Sequence, residues 1–263
     1  MRAARLTLAL LLVVWPVPAS ALDEKIVTIP SRPGVTESFV LIRPAQPPVA
    51  SVILFMGGRG ALGLSREPLG PRNTNFLVRT RQQFAERGLL VAVVDAPSDR
   101  MTEALVRFRT SAEHAADVRA LIAALRAEAP VPVWLIGTSM GSVSAASAAA
   151  RLGADGPDGV VLTSSVTRAS RQMVESLDDV ALDKIRVPVL IVHHRDDGCR
   201  ASPYTDVKWG IARRLKASPK HQILTFSGGD APQSDACEPL APHGYFGIET
   251  QVVDAITAWI TKP

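Results

Sequence analysis

The stretch Val133-Trp-Leu-Ile-Gly-Thr-Ser-Met-Gly-Ser142 decides how this chain folds. An apolar run leads into Gly137, Ser139 and Gly141, which fit the pattern GxSxG, and residues 142–150 that follow are almost all small. A serine that stands above a sheet lies where a strand turns sharply into a helix, and flanking glycines let the two backbones pass closely. The stretch therefore predicts a strand, a tight turn at Ser139 and a closely packed helix.

Outside this stretch, short apolar runs rich in β-branched residues alternate with helical patterns, as in a parallel sheet covered on both faces. The predicted helices lie at residues 76–87, 112–128, 140–152, 204–216 and 247–261. The predicted strands lie at residues 26–29, 38–42, 51–55, 90–94, 131–136, 160–162, 187–192 and 222–226, with the first two as a candidate antiparallel pair at an edge. The fold class is therefore α/β, a mostly parallel doubly wound sheet. Only about 24 residues separate the strands at 160–162 and 187–192, which leaves room for one short helix and no large cap domain.

Composition and charge narrow the classes of protein further. The 263 residues are 47% hydrophobic and 21% charged, which excludes disordered, collagen-like and coiled-coil chains. The formal charge is only +4, and the 29 Lys and Arg residues are scattered, which argues against nucleic acid as a partner. Two cysteines are too few for a structural zinc site. Residues 22–263 show no repeat or flexible linker, so we expect a single domain.

Residues 1–21 match a secretory signal peptide. Arg2 and Arg5 supply a charged start, Leu6 to Trp15 an apolar stretch, and Ala19-Ser20-Ala21 a small-residue cleavage site. The alternative is an uncleaved membrane anchor, but a spanning helix needs roughly 20 apolar residues, and two prolines interrupt this shorter run. We therefore expect a secreted or periplasmic protein that has no membrane contact after cleavage.

A serine nucleophile needs a base within hydrogen-bond reach, and His243 is the best placed of the five histidines. It lies in a loop-like stretch, residues 241–246, after the last predicted strand and before the last helix, where a side chain reaches over the carboxyl edge of the sheet. The other histidines lie inside a helix at an exposed-looking position or at strand ends: His114, His193, His194 and His221. Ligands of open parallel sheets bind at this same edge.

The residue that orients the base is expected at the end of another strand. Asp196 and Asp197 follow the predicted strand at 187–192, and because adjacent side chains point in different directions, only one of them can face the histidine. We favour Asp197 over Asp196, against the alternative of a solvated turn before Gly198. Ser139, Asp197 and His243 follow the order nucleophile, acid, base that is typical of this kind of turn.

Attack of a serine on a carbonyl creates an oxyanion that two backbone N–H groups can stabilise. One donor is expected from Met140, directly after Ser139 at the helix N-terminus. The other is expected from Met56 or Gly57, because the Gly-rich sequence after the strand at 51–55 lets the backbone approach a substrate closely. The alternative is a Gly-rich turn that only closes the strand.

These motifs resemble the α/β-hydrolase family over roughly residues 52–260. The resemblance rests on the turn Gly137-Thr-Ser-Met-Gly141, the strand end Ile191-Val-His-His-Arg-Asp-Asp197 and the late Pro242-His-Gly244. It implies acyl transfer to water through a serine acyl-enzyme, with no metal or organic cofactor. His194 stands where many members have glycine, and many members have a large cap. Both departures leave the chemistry intact and leave the substrate open.

The predicted activity is hydrolysis of carboxylic esters, with a small-molecule ester or acyl compound as substrate. A serine peptidase or amidase with the same three residues is an alternative within the enzyme class, and a hydrolase-like binding protein without turnover is an alternative outside it. Substrate choice depends on the loops at residues 57–75 and 164–186. Arg59, Arg66 and Arg72 in the first loop would suit an anionic group if they are not simply solvated.

Cys199 and Cys237 are the only cysteines. Cys199 follows Asp197 by two residues and Cys237 precedes His243 by six. In the fold that the resemblance implies, both loops rise from neighbouring strands at one edge, so we expect a disulfide, which persists in an oxidising compartment. Two unrelated thiols are the alternative.

Overall fold

The computed structural model describes residues 22–64, 69, 73–171 and 173–262 of the chain. They form one eight-stranded sheet in the order β1-β2-β4-β3-β5-β6-β7-β8. The first pair, β1 with β2, and the pair β2 with β4 are antiparallel, and the remaining pairs are parallel. The strands are β1 Glu24–Arg32, β2 Val35–Ile42, β3 Ala50–Phe55, β4 Leu89–Val94, β5 Val133–Thr138, β6 Gly159–Thr163, β7 Val189–His194 and β8 His221–Phe226. The predicted fold class and the antiparallel edge pair are confirmed.

Helices cover both faces of the sheet. They are α1 Phe76–Arg79, α2 Arg81–Glu86, α3 Ala112–Glu128, α4 Met140–Leu152, the single turn α5 Tyr204–Asp206 and α6 Glu249–Ile260. One apolar core contains buried side chains of α3 and α4, and a second core on the opposite face contains those of α1, α2 and α6. Every residue of β3, β4 and β5 is buried, which explains why their sequences are continuous apolar runs.

Three helical segments differ from the sequence prediction. The pattern at 76–87 divides at Thr80, whose backbone leaves the helical region (φ −99°, ψ 3°) to form two short helices. The pattern at 204–216 becomes α5, a π turn at Val207–Ile211 and a 3₁₀ turn at Ala212–Arg214. The segment between β6 and β7 contains two 3₁₀ turns instead of one helix, and among its described residues nothing forms a large cap.

His114 also differs from its prediction, because it is 3% exposed rather than on an open helix face. Its ring packs edge-on against the rings of Phe55 and Phe108. Burial, followed by the nearby charges of Arg109 and Arg32, lowers the pKa of His114 to about 3. The ring is therefore a neutral core group at neutral pH.

The N-terminal prediction falls outside the described residues, since the structure begins at Leu22 and the predicted signal peptide ends at Ala21. Within the described ranges, no helix combines the length and the apolar composition needed to cross a bilayer. The same ranges hold no group of three or more His, Cys, Asp and Glu side chains arranged to bind a metal ion.

Candidate active site

Ser139 lies at a strained turn between β5 and α4. Its backbone has φ 53° and ψ −123°, a region that side-chain-bearing residues rarely adopt. A methyl group on Gly137 would overlap the backbone of Gly141, and one on Gly141 would overlap the carbonyl of Phe55. Only glycine fits at both positions, so this backbone requires the two glycines of the GxSxG pattern.

Local hydrogen bonds fix this turn. The Ser139 N–H donates to the Thr163 carbonyl at 3.0 Å, which ties the turn to the end of β6. The Ser139 carbonyl accepts from the N–H and the Oγ of Ser142, at 3.0 and 2.6 Å. Backbone strain of this kind persists only where the surroundings over-determine it, and it is frequent at functional sites.

His243 and Asp197 are in direct contact above the carboxyl edge of the sheet. The His243 Nδ1 lies 2.8 Å from the Asp197 Oδ2, and both side chains are shielded from solvent, at 4% and 0% exposure. The second carboxylate oxygen, Oδ1, accepts from the Cys199 N–H at 2.9 Å. Asp196 is exposed, so the two neighbours point in different directions and the structure brings Asp197, not Asp196, to His243.

The contact with Asp197 favours one tautomer of the His243 ring. A carboxylate oxygen accepts hydrogen bonds, so this contact favours the neutral tautomer that has its proton on Nδ1 and none on Nε2. Nε2 is buried and has no hydrogen-bond partner among the described residues. His243 and Ser139 line the same cavity of about 240 Å³. The His243 ring and the Ser139 side chain therefore border one small cavity.

His193 packs on the other side of Asp197. Its Nε2 lies 2.9 Å from the Ser202 carbonyl and 3.5 Å from the Asp197 Oδ2. The carbonyl can only accept, so Nε2 bears the proton. Burial lowers the pKa of His193, although the charge of Asp197 acts in the opposite direction. The ring is neutral at neutral pH, and it does not replace His243 as the partner of the carboxylate.

Two side chains hold the His243 loop in place. Tyr245 is fully buried, and its hydroxyl donates to the Val192 carbonyl at 2.8 Å and accepts from the Ser164 N–H at 3.2 Å, which anchors the loop to the ends of β7 and β6. Arg79 donates to the Gly244 carbonyl at 2.6 Å and to Glu249 at 2.8 Å. These contacts fix the backbone on the C-terminal side of His243.

The candidate oxyanion donors converge on the same turn. Met140 is the first residue of α4, and Met56 and Gly57 follow β3 and line the cavity. The close packing of Gly141 on the Phe55 and Met56 backbones brings the two segments together.

Buried Arg109 connects the loop after β3 to helix α4. It donates to the Gly58 carbonyl at 2.9 Å and to the Ser144 Oγ at 2.8 Å, and burial lowers its pKa to about 10. Arg59 donates to the Thr102 carbonyl at 2.7 Å. Arg66 and Arg72 lie outside the described residues.

Cys199 and Cys237 form a disulfide. Cys199 is 1% exposed in an apolar cluster with Met140 and Val166, and Cys237 lines the cavity. Because the Cys199 N–H donates to Asp197, the bridge joins the backbone that holds the Asp197 side chain to the wall of the cavity.

Several residues that build the site were not predicted from the sequence. Tyr245, Arg79 and Arg109 hold backbone segments, and their contacts join residues 53, 165 and 51 positions apart in the sequence. Such long-range contacts leave no periodic signal. Asn75 had a usable signal, since an Asn directly before an apolar run is a favoured N-cap.

No protein-family model and no curated protein sequence matches the chain. A dienelactone hydrolase from Anabaena variabilis superposes with a TM-score of 0.63 at 16% identity, over 92% of this chain and 98% of that one. A carboxyl esterase from Bacillus coagulans gives a TM-score of 0.60 at 14% identity, over 92% and 98%. An acylaminoacyl peptidase from Pyrococcus horikoshii gives 0.64 at 12% identity, over 93% of this chain and 42% of that one. The chain has the α/β-hydrolase fold of these proteins.

Proposed function

We propose that this protein is a serine hydrolase of carboxylic esters, with Ser139 as nucleophile, His243 as base and Asp197 as the acid that orients the base. The observation that carries the proposal is the 2.8 Å contact between His243 and Asp197 beside the cavity that Ser139 lines. The names of the similar structures, a dienelactone hydrolase, a carboxyl esterase and an acylaminoacyl peptidase, support a hydrolytic activity.

Acylation begins when the Ser139 Oγ attacks the carbonyl carbon of the ester. A C–O bond forms, the Oγ proton moves to the His243 Nε2, and the π electrons of the carbonyl move onto its oxygen. When the carbonyl reforms, the bond to the alcohol oxygen breaks and His243 returns the proton to the leaving alcohol. Asp197 stabilises the imidazolium and keeps the tautomer correct without taking up a proton itself.

Deacylation repeats these steps with water. Water attacks the acyl carbon, its proton moves to His243, and the bond to the Ser139 Oγ breaks as Oγ recovers a proton. In both steps the backbone N–H groups of Met140 and of Met56 or Gly57 would stabilise the oxyanion, and one such donor contributes about 10²–10³ in rate. The cycle consumes one ester and one water and needs no cofactor.

We further propose that residues 22–263 act as a single exported domain on small substrates. A cavity of about 240 Å³ suits a small acyl group, and a disulfide beside the site suits an oxidising compartment. N-terminal sequencing of protein recovered from the periplasm or medium should begin after Ala21. Recovery only from the membrane fraction with Met1 retained would contradict export.

Paired substrates test the activity. Purified protein should hydrolyse p-nitrophenyl esters of short acyl chains, and the p-nitroanilides of the same acyl groups should react far more slowly. His243→Ala should remain folded and lose nearly all turnover, because the three residues act as a unit. Faster cleavage of the anilides would favour the peptidase or amidase alternative. Absence of turnover on both series would favour a binding protein.

A further inference from the structure

Asn75 presents a side-chain amide to the reacting end of the cavity. It directly precedes α1 and lines the cavity with Ser139 and His243. A methyl group placed on Gly57 would lie 3.0 Å from the Ser139 Cβ and 3.4 Å from the Asn75 Nδ2. The Asn75 Nδ2 and the Ser139 side chain therefore both lie next to Gly57, in the loop that holds the candidate oxyanion donors.

The orientation of this amide follows from its second contact. The Asn75 Oδ1 accepts from the Leu77 N–H at 3.2 Å and thereby caps α1. That donor requires an acceptor, so the carbonyl oxygen of the amide must face the helix and the NH₂ group must face away from it. Among the described residues, the Asn75 side chain makes its hydrogen bond through Oδ1 and none through Nδ2. The cap thus sets the amide with its donors toward the cavity.

We propose that the Asn75 Nδ2–H donates a hydrogen bond to the oxyanion that forms when Ser139 attacks the substrate, as a third donor beside the backbone N–H groups. The inference rests on the proposed function. A neutral N–H held by a fixed cap suits this task, because it stabilises developing negative charge without reorganising. The donor is the side chain itself, not the short helix behind it.

Asn75→Ser is the decisive variant, because serine caps helices as well as asparagine does but has no amide N–H to donate into the cavity. On a p-nitrophenyl ester we expect kcat to fall about 10²-fold, the loss typical of one missing oxyanion donor. KM should change little, since the contact is made in the transition state. The affinity for a phenylboronic acid, which forms a tetrahedral adduct on serine, should fall by a similar factor.

Two further variants separate this role from helix capping. Asn75→Ala loses cap and donor together and should match Asn75→Ser in kcat while melting at a lower temperature. Ser111→Ala removes the N-cap of α3, where the Ser111 Oγ accepts from the His114 N–H at 3.0 Å. It should lower the melting temperature and leave kcat unchanged.

The proposal is overturned if Asn75→Ser keeps kcat within about threefold of the parent protein, a smaller loss than a missing oxyanion donor causes. It is also overturned if only KM rises, which would indicate ground-state binding. These outcomes leave the proposed function intact as long as the parent protein turns over the ester and Ser139→Ala does not. A parent protein without ester turnover would overturn both.

Discussion

Removal of the disulfide should weaken both stability and catalysis. The bridge joins Cys199, whose N–H donates to Asp197, to Cys237 in the cavity wall. The double variant Cys199→Ala, Cys237→Ala is the suitable change, because Cys199 is buried among apolar side chains and a serine there would bury an unpaired hydroxyl. Without the bridge, the loop that holds Asp197 and Cys199 is free to move relative to the wall of the cavity.

The size of the stability loss follows from the length of the closed loop. The two cysteines are 38 residues apart, and closing such a loop removes about 4 kcal/mol of unfolded-state entropy at 25 °C in the chain-entropy model. For a domain of this size, about 4 kcal/mol corresponds to a fall in melting temperature of roughly 8–16 °C. Displacement of Asp197 by a fraction of an ångström should also lower kcat, by about tenfold.

Thermal unfolding followed by circular dichroism, with and without a phosphine reductant, tests this prediction. Reductant should lower the melting temperature of the parent protein and leave the double variant unaffected, because the variant has no bridge to break. Turnover of the parent protein should fall in reductant at temperatures where the protein remains folded. Two free thiols titrated in the native parent protein, or a double variant that melts within about 2 °C of the parent, would refute the reasoning.

Three further changes test particular contacts. Asp197→Asn should lower kcat about 10⁴-fold, because it favours the wrong tautomer of His243. Asp196 is exposed, so Asp196→Asn should keep the kcat of the parent protein. Equal losses in the two variants would contradict the assignment of Asp197 as the orienting acid. Gly141→Ala should cost about 3 kcal/mol or more in urea unfolding, because its methyl group would overlap the Phe55 carbonyl; an unchanged midpoint would contradict the tight turn. The pKa of His114 is lowered to about 3, so the unfolded chain binds a proton near pH 6.5 that the folded chain does not. The free energy of unfolding should therefore fall by about 1.4 kcal/mol per pH unit from pH 6.5 toward pH 3. Urea titrations at pH 7, 5 and 4 measure this fall, and His114→Leu should remove the contribution of His114 to it.

The sheet could be predicted from the sequence because buried parallel strands carry continuous apolar runs. The predicted helices at 112–128 and 140–152 match α3 and α4 in full. Irregular helices were less predictable, since neither the break at Thr80 nor the π turn at Val207–Ile211 changes the hydrophobic pattern. Burial of His114 depends on rings contributed by β3 and by the segment before α3, which a helical pattern alone does not reveal.

The candidate site was partly predictable because topology places strand ends together. Loops after parallel strands meet at one edge, and this was sufficient to anticipate the contact between Asp197 and His243 and the bridge between Cys199 and Cys237. The amide of Asn75 was not anticipated. Its role as a helix N-cap follows from the local sequence, but its place in the cavity wall depends on the conformation of a long loop, which tertiary contacts determine.

Active-site labelling with a fluorophosphonate probe tests the central claim most directly, because the probe reacts with an activated serine and not with ordinary hydroxyls. Peptide mapping by mass spectrometry should find the phosphonate on Ser139 alone. Ser139→Ala should fold with an unchanged circular dichroism spectrum and take up no label, and His243→Ala should label very slowly because the nucleophile has lost its base. Labelling at any other serine, or persistent labelling of Ser139→Ala, would contradict the assignment of Ser139 as the nucleophile.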